Sequence, residues 1–576
     1  MTRSLSLVFA GSLLLTASSA ASADPPPTLR ELAKGFGERG GLVLAQDAFG
    51  DSATRIVYLN QGWGPAETLW FYHADQGSTL MPYDMLVHLE QTEQAEPFIK
   101  PEHLARFRFL LQHKTPNNPD ALPVGFARHK DQVGLTCAAC HTTQINYRGT
   151  ALRIDGGPAL IDMSGFLHAV QAAIAKTLAD EAKLSRFAAA IPGGGKDEES
   201  RARARQKLTE TLRWFESYNH ANRSSTVEGF ARTDAIGRIV NQVIRFTSGP
   251  EHSLEPNAPA SYPLLWDAPR HDYVQWAGFA SNAGAGSLGR NAGEVIGVFG
   301  QVEVKNYKTE QAAKKGYPST VEAMALVSME ESLRRLKSPQ WPETVLAPID
   351  RKLAARGDVL YRTHCVSCHA LIDRDDPRRR VVAMITGADI VGTDDRAVKN
   401  LVEPQLPTGK LAGAISPKGQ QYGEKASALT LVGDLVTRLL AAKPAAPLAA
   451  IANAKIHGLQ ATPKQGNHRN SAADPTLALL SYKARPLNGI WASAPYLHNG
   501  SVPTLYDLLL PASQRPAQFA VGRWEYDPRK VGYVSEGKVP WVFDTKVTGN
   551  SNRGHEYGTT LSHEDRWALV EYLKTL

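Results

Sequence analysis

Apolar residues recur with helical spacing in several separated stretches of the chain, and long aperiodic segments lie between them. Phe166, Val170, Ile174 and Leu178 stand four apart and so share one helical face. The pattern predicts one helix over 165–191, ended by Gly193-Gly194-Gly195. Leu86 and Leu89 predict a helix over 83–91, and another is predicted over 103–113. A charged helix is expected over 198–219. A helix over 319–337 should open on the capping box Ser319-Thr320-Val321-Glu322. A helix over 350–363 carries Gly357, Leu360 and Tyr361 on one face. The last helix should open on Ser562-His563-Glu564-Asp565 and turn Ala568, Leu569, Tyr572 and Leu573 to one side. The fold class this predicts is mainly α, with long irregular loops and little β-structure.

The aperiodic segments shape the rest of the reading. Residues 41–70 show no period. Residues 115–125 form a loop, broken by Pro116, Pro119 and Pro123. Residues 230–300 are rich in glycine, asparagine and aromatic side chains, including Tyr262, Trp266, Tyr273, Trp276, Phe279 and Phe299. So long a stretch without period reads either as a functional loop or lid or as a wrap around a pocket. Proline-rich 338–348 is the expected boundary between an N-terminal domain, 24–346, and a C-terminal domain, 347–576, the latter enlarged by an insertion at 426–443.

Met1-Thr2-Arg3, an apolar run over 5–15 and Ala21-Ser22-Ala23 form a cationic start, a short apolar core and a cleavage site. Residues 1–23 are therefore expected to be a signal peptide, and the mature chain to be soluble, in the periplasm or outside the cell. No later stretch is long and apolar enough to span a bilayer. Hydrophobic residues make up 43% and charged residues 21%, an ordinary globular balance. A net charge of +7 spread over 576 residues, with no basic block, gives no sign of a nucleic-acid partner.

All four cysteines fall in two runs, Cys137-Ala138-Ala139-Cys140-His141 and Cys365-Val366-Ser367-Cys368-His369. C-x-x-C-H is the attachment signal for c-type haem. Each thiol can form a thioether to one porphyrin vinyl, and the next histidine then lies under the ring as proximal iron ligand. A joint four-thiolate zinc site or a redox pair is the competing reading. The histidine after both pairs, and the export signal, favour haem. Two covalently attached c-type haems are thus expected, with His141 and His369 on the irons. A small-faced helix before the second motif and an aromatic helix at the chain end resemble the crossing helices of class I cytochrome c. The expected architecture is two cytochrome c-like haem domains.

Several further runs carry a wider resemblance. Leu122-Pro123-Val124-Gly125-Phe126 precedes the first motif, and Ile154-Asp155-Gly156-Gly157-Pro158 follows it. Tyr273-Val274-Gln275-Trp276 and Arg290-Asn291-Ala292-Gly293-Glu294-Val295 come next. Later stand Ala494-Pro495-Tyr496-Leu497-His498-Asn499-Gly500 and Gly549-Asn550-Ser551-Asn552-Arg553-Gly554-His555. Together they resemble the di-haem rubber oxygenase A family, related to the di-haem cytochrome c peroxidases and to the di-haem enzyme that matures methylamine dehydrogenase.

The resemblance implies two unlike irons, one open to dioxygen or peroxide and one closed by two protein ligands. In the peroxidases the position of Leu497 can be a ligating methionine; leucine cannot ligate. The resemblance implies His555 as the sixth ligand of the C-terminal haem. His498 competes, more as a hydrogen-bonding residue at the haem edge, and Tyr496 is a third candidate. For the N-terminal haem the resemblance implies an apolar, aromatic distal pocket, with Trp276, Phe279 and Phe299 as candidates. His168 is expected to be solvated or in the core. Glu294 is the candidate acid/base of a peroxidatic reaction; the alternative is a salt bridge to Arg290, four residues back. Trp266 and Trp276 are candidates to lie between the haems. The activity implied is oxidative cleavage of an unsaturated or polymeric substrate by dioxygen. A cytochrome c peroxidase fed by a small electron-donor protein and a non-catalytic electron carrier are the alternatives.

Overall fold

Short strands and helices alternate along most of the chain in the computed structural model, which describes residues 39–468, 475–537 and 541–576. The expected signal segment, 1–23, lies outside the described residues. The fold is mixed α/β, 39% helix and 15% strand, with the strands in two three-stranded and six two-stranded sheets among the described residues. This corrects the expectation of a mainly α fold with little β-structure. The strands escape a periodicity reading because they are short and often buried on both faces. β1 (Thr142–Tyr147) and β2 (Thr150–Asp155) pair antiparallel, and β2 is buried along its whole length. No alternating polar positions mark such a strand.

Other expectations fail for local reasons. The helix expected over 103–113 stops after Pro101–Leu104 and one tighter turn through Phe107. Arg108 there adopts φ 62°, and its buried guanidinium pairs with Asp47 and Asp51. The helix expected over 165–191 is two, α1 (Met163–Ala179) and α2 (Glu181–Ala190). Asp180 breaks it by accepting hydrogen bonds from the backbone N–H groups of Ala182 and Lys183, which starts a new helix. The capping box at Ser319 does not form. That hydroxyl is buried without a partner, and α3 (Ala323–Leu333) begins only after Glu322. The aperiodic stretch 230–300 contains the helices Ala235–Thr247 and Gly286–Gly297.

The C-terminal elements follow their sequence signals. α4 (Arg351–His364) is capped by Asp350, and α5 (His563–Thr575) by Ser562, whose Oγ accepts from Asp565 N at 3.1 Å. The two helices cross at Gly357, which lies directly against the Ala568 backbone and the Tyr572 side chain. The Tyr361 and Tyr572 rings pack beside it, 5.2 Å apart. A side chain at 357 would force the crossing apart.

The packing runs across the expected boundary at 346. The largest apolar core joins Trp63, Trp266 and Trp341 to Tyr361, Trp491 and Leu569. Asn146 N bonds Trp524 O at 2.7 Å, and Arg108 stacks on Trp524 at 4.2 Å. No single described helix is long and apolar enough to cross a membrane.

Candidate haem sites

The first C-x-x-C-H run is a one-turn helix, Cys137–Cys140, delivered by the hairpin of Phe126–His129 and Gln132–Leu135. Thr136 caps it, accepting from Ala138 N at 3.2 Å. Gly125, at φ 91°, lies flush against Ala139, where a Cβ would collide with the backbone. Cys137, Cys140 and His141 line a cavity of about 230 Å³. His141 Nδ1 stands 2.8 Å from Pro263 O. A carbonyl only accepts, so Nδ1 carries the proton and Nε2 keeps the lone pair that iron requires. Enclosure lowers the His141 pKa to about 4 and raises both thiols to about 12.

The same cavity gathers the acid/base candidate Glu294 and the distal-pocket candidates Trp276, Phe279 and Phe299. Phe299 is buried and held at φ 79°. Arg290 bonds Glu330 at 2.7 Å, so the alternative reading of Glu294 as a helical partner of Arg290 finds no ion pair here. Glu294 instead accepts from Gln275 Nε2 at 2.5 Å. Enclosure raises the Glu294 pKa, favouring the protonated carboxyl, while Arg290 opposes that shift.

The second motif follows α4. Cys365, Cys368 and His369 line another cavity of about 230 Å³, together with Tyr496, Leu497, His498 and His555. His369 Nδ1 stands 2.7 Å from Arg485 O, which again leaves Nε2 free. The His555 ring faces that of His369, with centroids 6.2 Å apart. Two metal–nitrogen bonds of about 2.0 Å each, plus the two ring radii, require nearly that separation. Arg515 holds the loop bearing His555, donating to Asn552 O at 2.6 Å and Gly554 O at 2.8 Å. Gly554, at φ 72°, is in backbone contact with Gly392.

The competing ligands are otherwise engaged. The Tyr496 hydroxyl donates to Val531 O at 3.1 Å, a role for the phenol rather than the phenolate. His498 is buried and stacked on Tyr482, with centroids 4.1 Å apart. His168 bonds its own helix at Ser164 O and lines neither cavity.

One wall separates the cavities. Trp276, Tyr262, Leu264, Tyr482, Lys483 and Arg485 line both. Trp276 is pinned by its Nε1, which donates to Ser261 O at 2.7 Å. Trp266 is fully buried in the core and lines neither cavity. The paired thiols, the free imidazole Nε2 atoms and the His369–His555 separation suit a c-type haem at each place.

A protein of Sinorhizobium fredii (strain NBRC 101917 / NGR234), the uncharacterised y4iJ, is 33% identical over 588 residues, covering 91% of this chain and 93% of its own. A second protein of that strain, the uncharacterised y4iM, is 40% identical over 126 residues, 18% of this chain and 29% of its own. A family model described as RoxA-like, cytochrome c-like matches residues 481–520. The chain belongs to the same family as y4iJ, and its residues 481–520 are similar to the RoxA-like cytochrome c domain. It is a haem cytochrome of oxidoreductase type. The matched residues include Lys483 and Arg485 of the shared wall, the 494–500 run with His498, and the Arg515 that holds the His555 loop.

The sequence singled out neither Pro263 nor Arg485, because each acts on a proximal histidine through a backbone carbonyl, which no side-chain pattern marks. Gln275 stands inside a noted run, but its partner Glu294 is nineteen positions away.

Proposed function

We propose that the chain is an exported di-haem c-type cytochrome oxidoreductase, with haems attached at Cys137/Cys140 and Cys365/Cys368. The observation that carries this reading is the inequality of the two cavities. At the second, His555 faces His369 at iron-spanning distance. At the first, no histidine ring stands against that of His141 among the described residues; His271 lines the cavity without a ring contact to His141, beside Glu294, Gln275 and aromatic side chains.

The first cavity is the proposed site of oxygen chemistry. A bound c-type haem supplies one-electron and dioxygen chemistry there. Phe279, Phe299 and Trp276 exclude water and shape an apolar space for an unsaturated substrate. Gln275 fixes the Glu294 carboxyl, which holds a proton and can pass it into the cavity. The second cavity, closed by His369 and His555, is the proposed electron reservoir, and Trp276 stands in the wall between them. The favoured reaction is oxidative cleavage of an unsaturated or polymeric substrate by dioxygen. Glu294 supports a second reading, a peroxidase taking electrons from a small donor protein, since O–O cleavage benefits from a poised proton.

The experiment is haem counting by pyridine haemochrome and mass spectrometry, followed by turnover. Two haems per chain are expected, and one after Cys137→Ala with Cys140→Ala. Oxygen uptake with polyisoprene, without added reductant, supports the oxygenase; peroxide turnover with a reduced cytochrome supports the peroxidase. A wild-type chain with two low-spin, doubly ligated irons, unresponsive to reduction or peroxide, would sink both.

A further inference from the structure

A cluster of cationic and imidazole groups faces the first cavity, and among the described residues no carboxylate forms an ion pair with it, although Glu294 lines the same cavity and is bonded to Gln275. His271 lines that cavity, is 1% exposed, and its Nδ1 has no hydrogen-bond partner. Lys483 and Arg485, on and just beyond the strand Ser481–Ala484, line both cavities. Arg485 donates from its two terminal nitrogens to Leu264 O at 3.2 Å and Trp266 O at 3.1 Å, which leaves its buried Nε unpartnered.

The nearby carboxylates are already engaged. Asp267 pairs with Arg379 at 2.6 Å. Asp272 accepts from Thr462 Oγ1 at 3.0 Å and from Ala383 N at 2.9 Å. Glu330 pairs with Arg290. Withdrawal from water, with Arg485 and Arg290 close by, pushes the Lys483 pKa well below its ordinary value. An ammonium and a guanidinium enclosed together are tolerated when anions join them.

The bound cofactor itself brings two anions. A porphyrin carries its propionates on the edge opposite its vinyl groups. Thioethers to Cys137 and Cys140 would pin the vinyl edge at the one-turn helix and turn the carboxylates away from it. We propose that His271, Lys483 and Arg485 are the seat for the propionates of the haem held by Cys137, Cys140 and His141. This rests on the di-haem reading above. Charge-assisted hydrogen bonds from Lys483 and Arg485, and a neutral one from His271, would orient the ring in its plane. The Lys483 charge also favours the reduced iron, which carries one positive charge fewer than the oxidised form.

The test uses the haem-loaded full chain. Haem content is measured first. A wild-type chain with no haem at Cys137/Cys140 overturns the parent reading and this proposal with it. In a loaded chain, Lys483→Met is expected to lower the midpoint potential of the N-terminal haem more than that of its neighbour, and Lys483→Arg to restore it. The resonance Raman propionate-bending band should move in the same variant. An unchanged potential with an unchanged band overturns the seat alone, because a merely structural lysine would move neither. Should Lys483→Met fail to load, wild-type protein decides by titration with inorganic phosphate. No saturable spectral change is expected if propionates fill the cluster; a saturable one would mean a free anion site and overturn the proposal.

Discussion

His141 and His369 are joined through Arg485. His141 Nδ1 donates to Pro263 O at 2.8 Å, the next carbonyl, Leu264 O, accepts from the Arg485 guanidinium at 3.2 Å, and Arg485 O accepts a hydrogen bond from His369 Nδ1 at 2.7 Å. One residue thus orients one proximal ring through its backbone and steadies the partner of the other through its side chain. Such outer contacts tune a metal as well as its direct ligands do.

Arg485→Met should therefore act unequally on the two sites. Its backbone carbonyl remains for His369, but Leu264 O and Trp266 O lose their donor. The expected outcome is a changed EPR signal for the N-terminal haem and a nearly unchanged one for the C-terminal haem. Equal changes at both would contradict this division of labour.

His555→Ala should open the C-terminal iron. The optical and EPR spectra of that haem are expected to turn from low-spin to high-spin, while the His141 site keeps its spectrum. His498→Ala, by contrast, removes a stacking partner of Tyr482 and should leave the C-terminal haem low-spin. A low-spin spectrum in His555→Ala would rule out this ligand.

Glu294→Gln keeps the size of the side chain and removes its acid. Turnover with oxygen or peroxide is expected to fall by about 100-fold, within the range of general acid–base contributions, while haem content stays the same. An active variant would make Glu294 a packing residue.

Gly357→Ala places a methyl group against the Ala568 backbone, where α4 and α5 cross. Overpacking of this kind costs about 1–3 kcal/mol. A lowered midpoint in denaturant unfolding, monitored by circular dichroism, is the measurement.

Acid should weaken the fold near the first cavity through Glu228. Burial alone would raise its pKa, but the charge and hydrogen bonds of Arg238, 2.8 Å away, hold it down at about 2. A carboxylate with a depressed folded-state pKa stabilises fully above its unfolded value of about 4.5 and loses that contribution as pH falls toward 2. Stability measured at pH 6 and at pH 3 should therefore differ, and Glu228→Gln should shrink the difference.

Parts of the molecule were legible in the residue pattern because their physics is local. Ser562 caps its helix by a bond to a residue three positions on, and Gly357 marks a helix crossing by its size alone. Arg108 shows the opposite case. Its sequence neighbourhood favours a helix, but Asp47, Asp51 and the Trp524 ring, distant in sequence, draw it into a left-handed conformation. Strands such as Thr150–Asp155 were invisible because both faces are covered.

What the sequence by itself determined is the chemistry on offer: two C-x-x-C-H runs, each with a histidine placed by covalent spacing, and a short list of residues able to complete the sites. What only the tertiary structure decided is their inequality. His555 meets the His369 ring across 186 positions of sequence, while Glu294, Gln275 and the aromatic rings meet His141 from elements that share no period with it. The backbone carbonyls of Pro263 and Arg485, which orient the two proximal rings, carry no side-chain signature at all. Spacing along a chain reaches only one helical turn, and these contacts arise from packing.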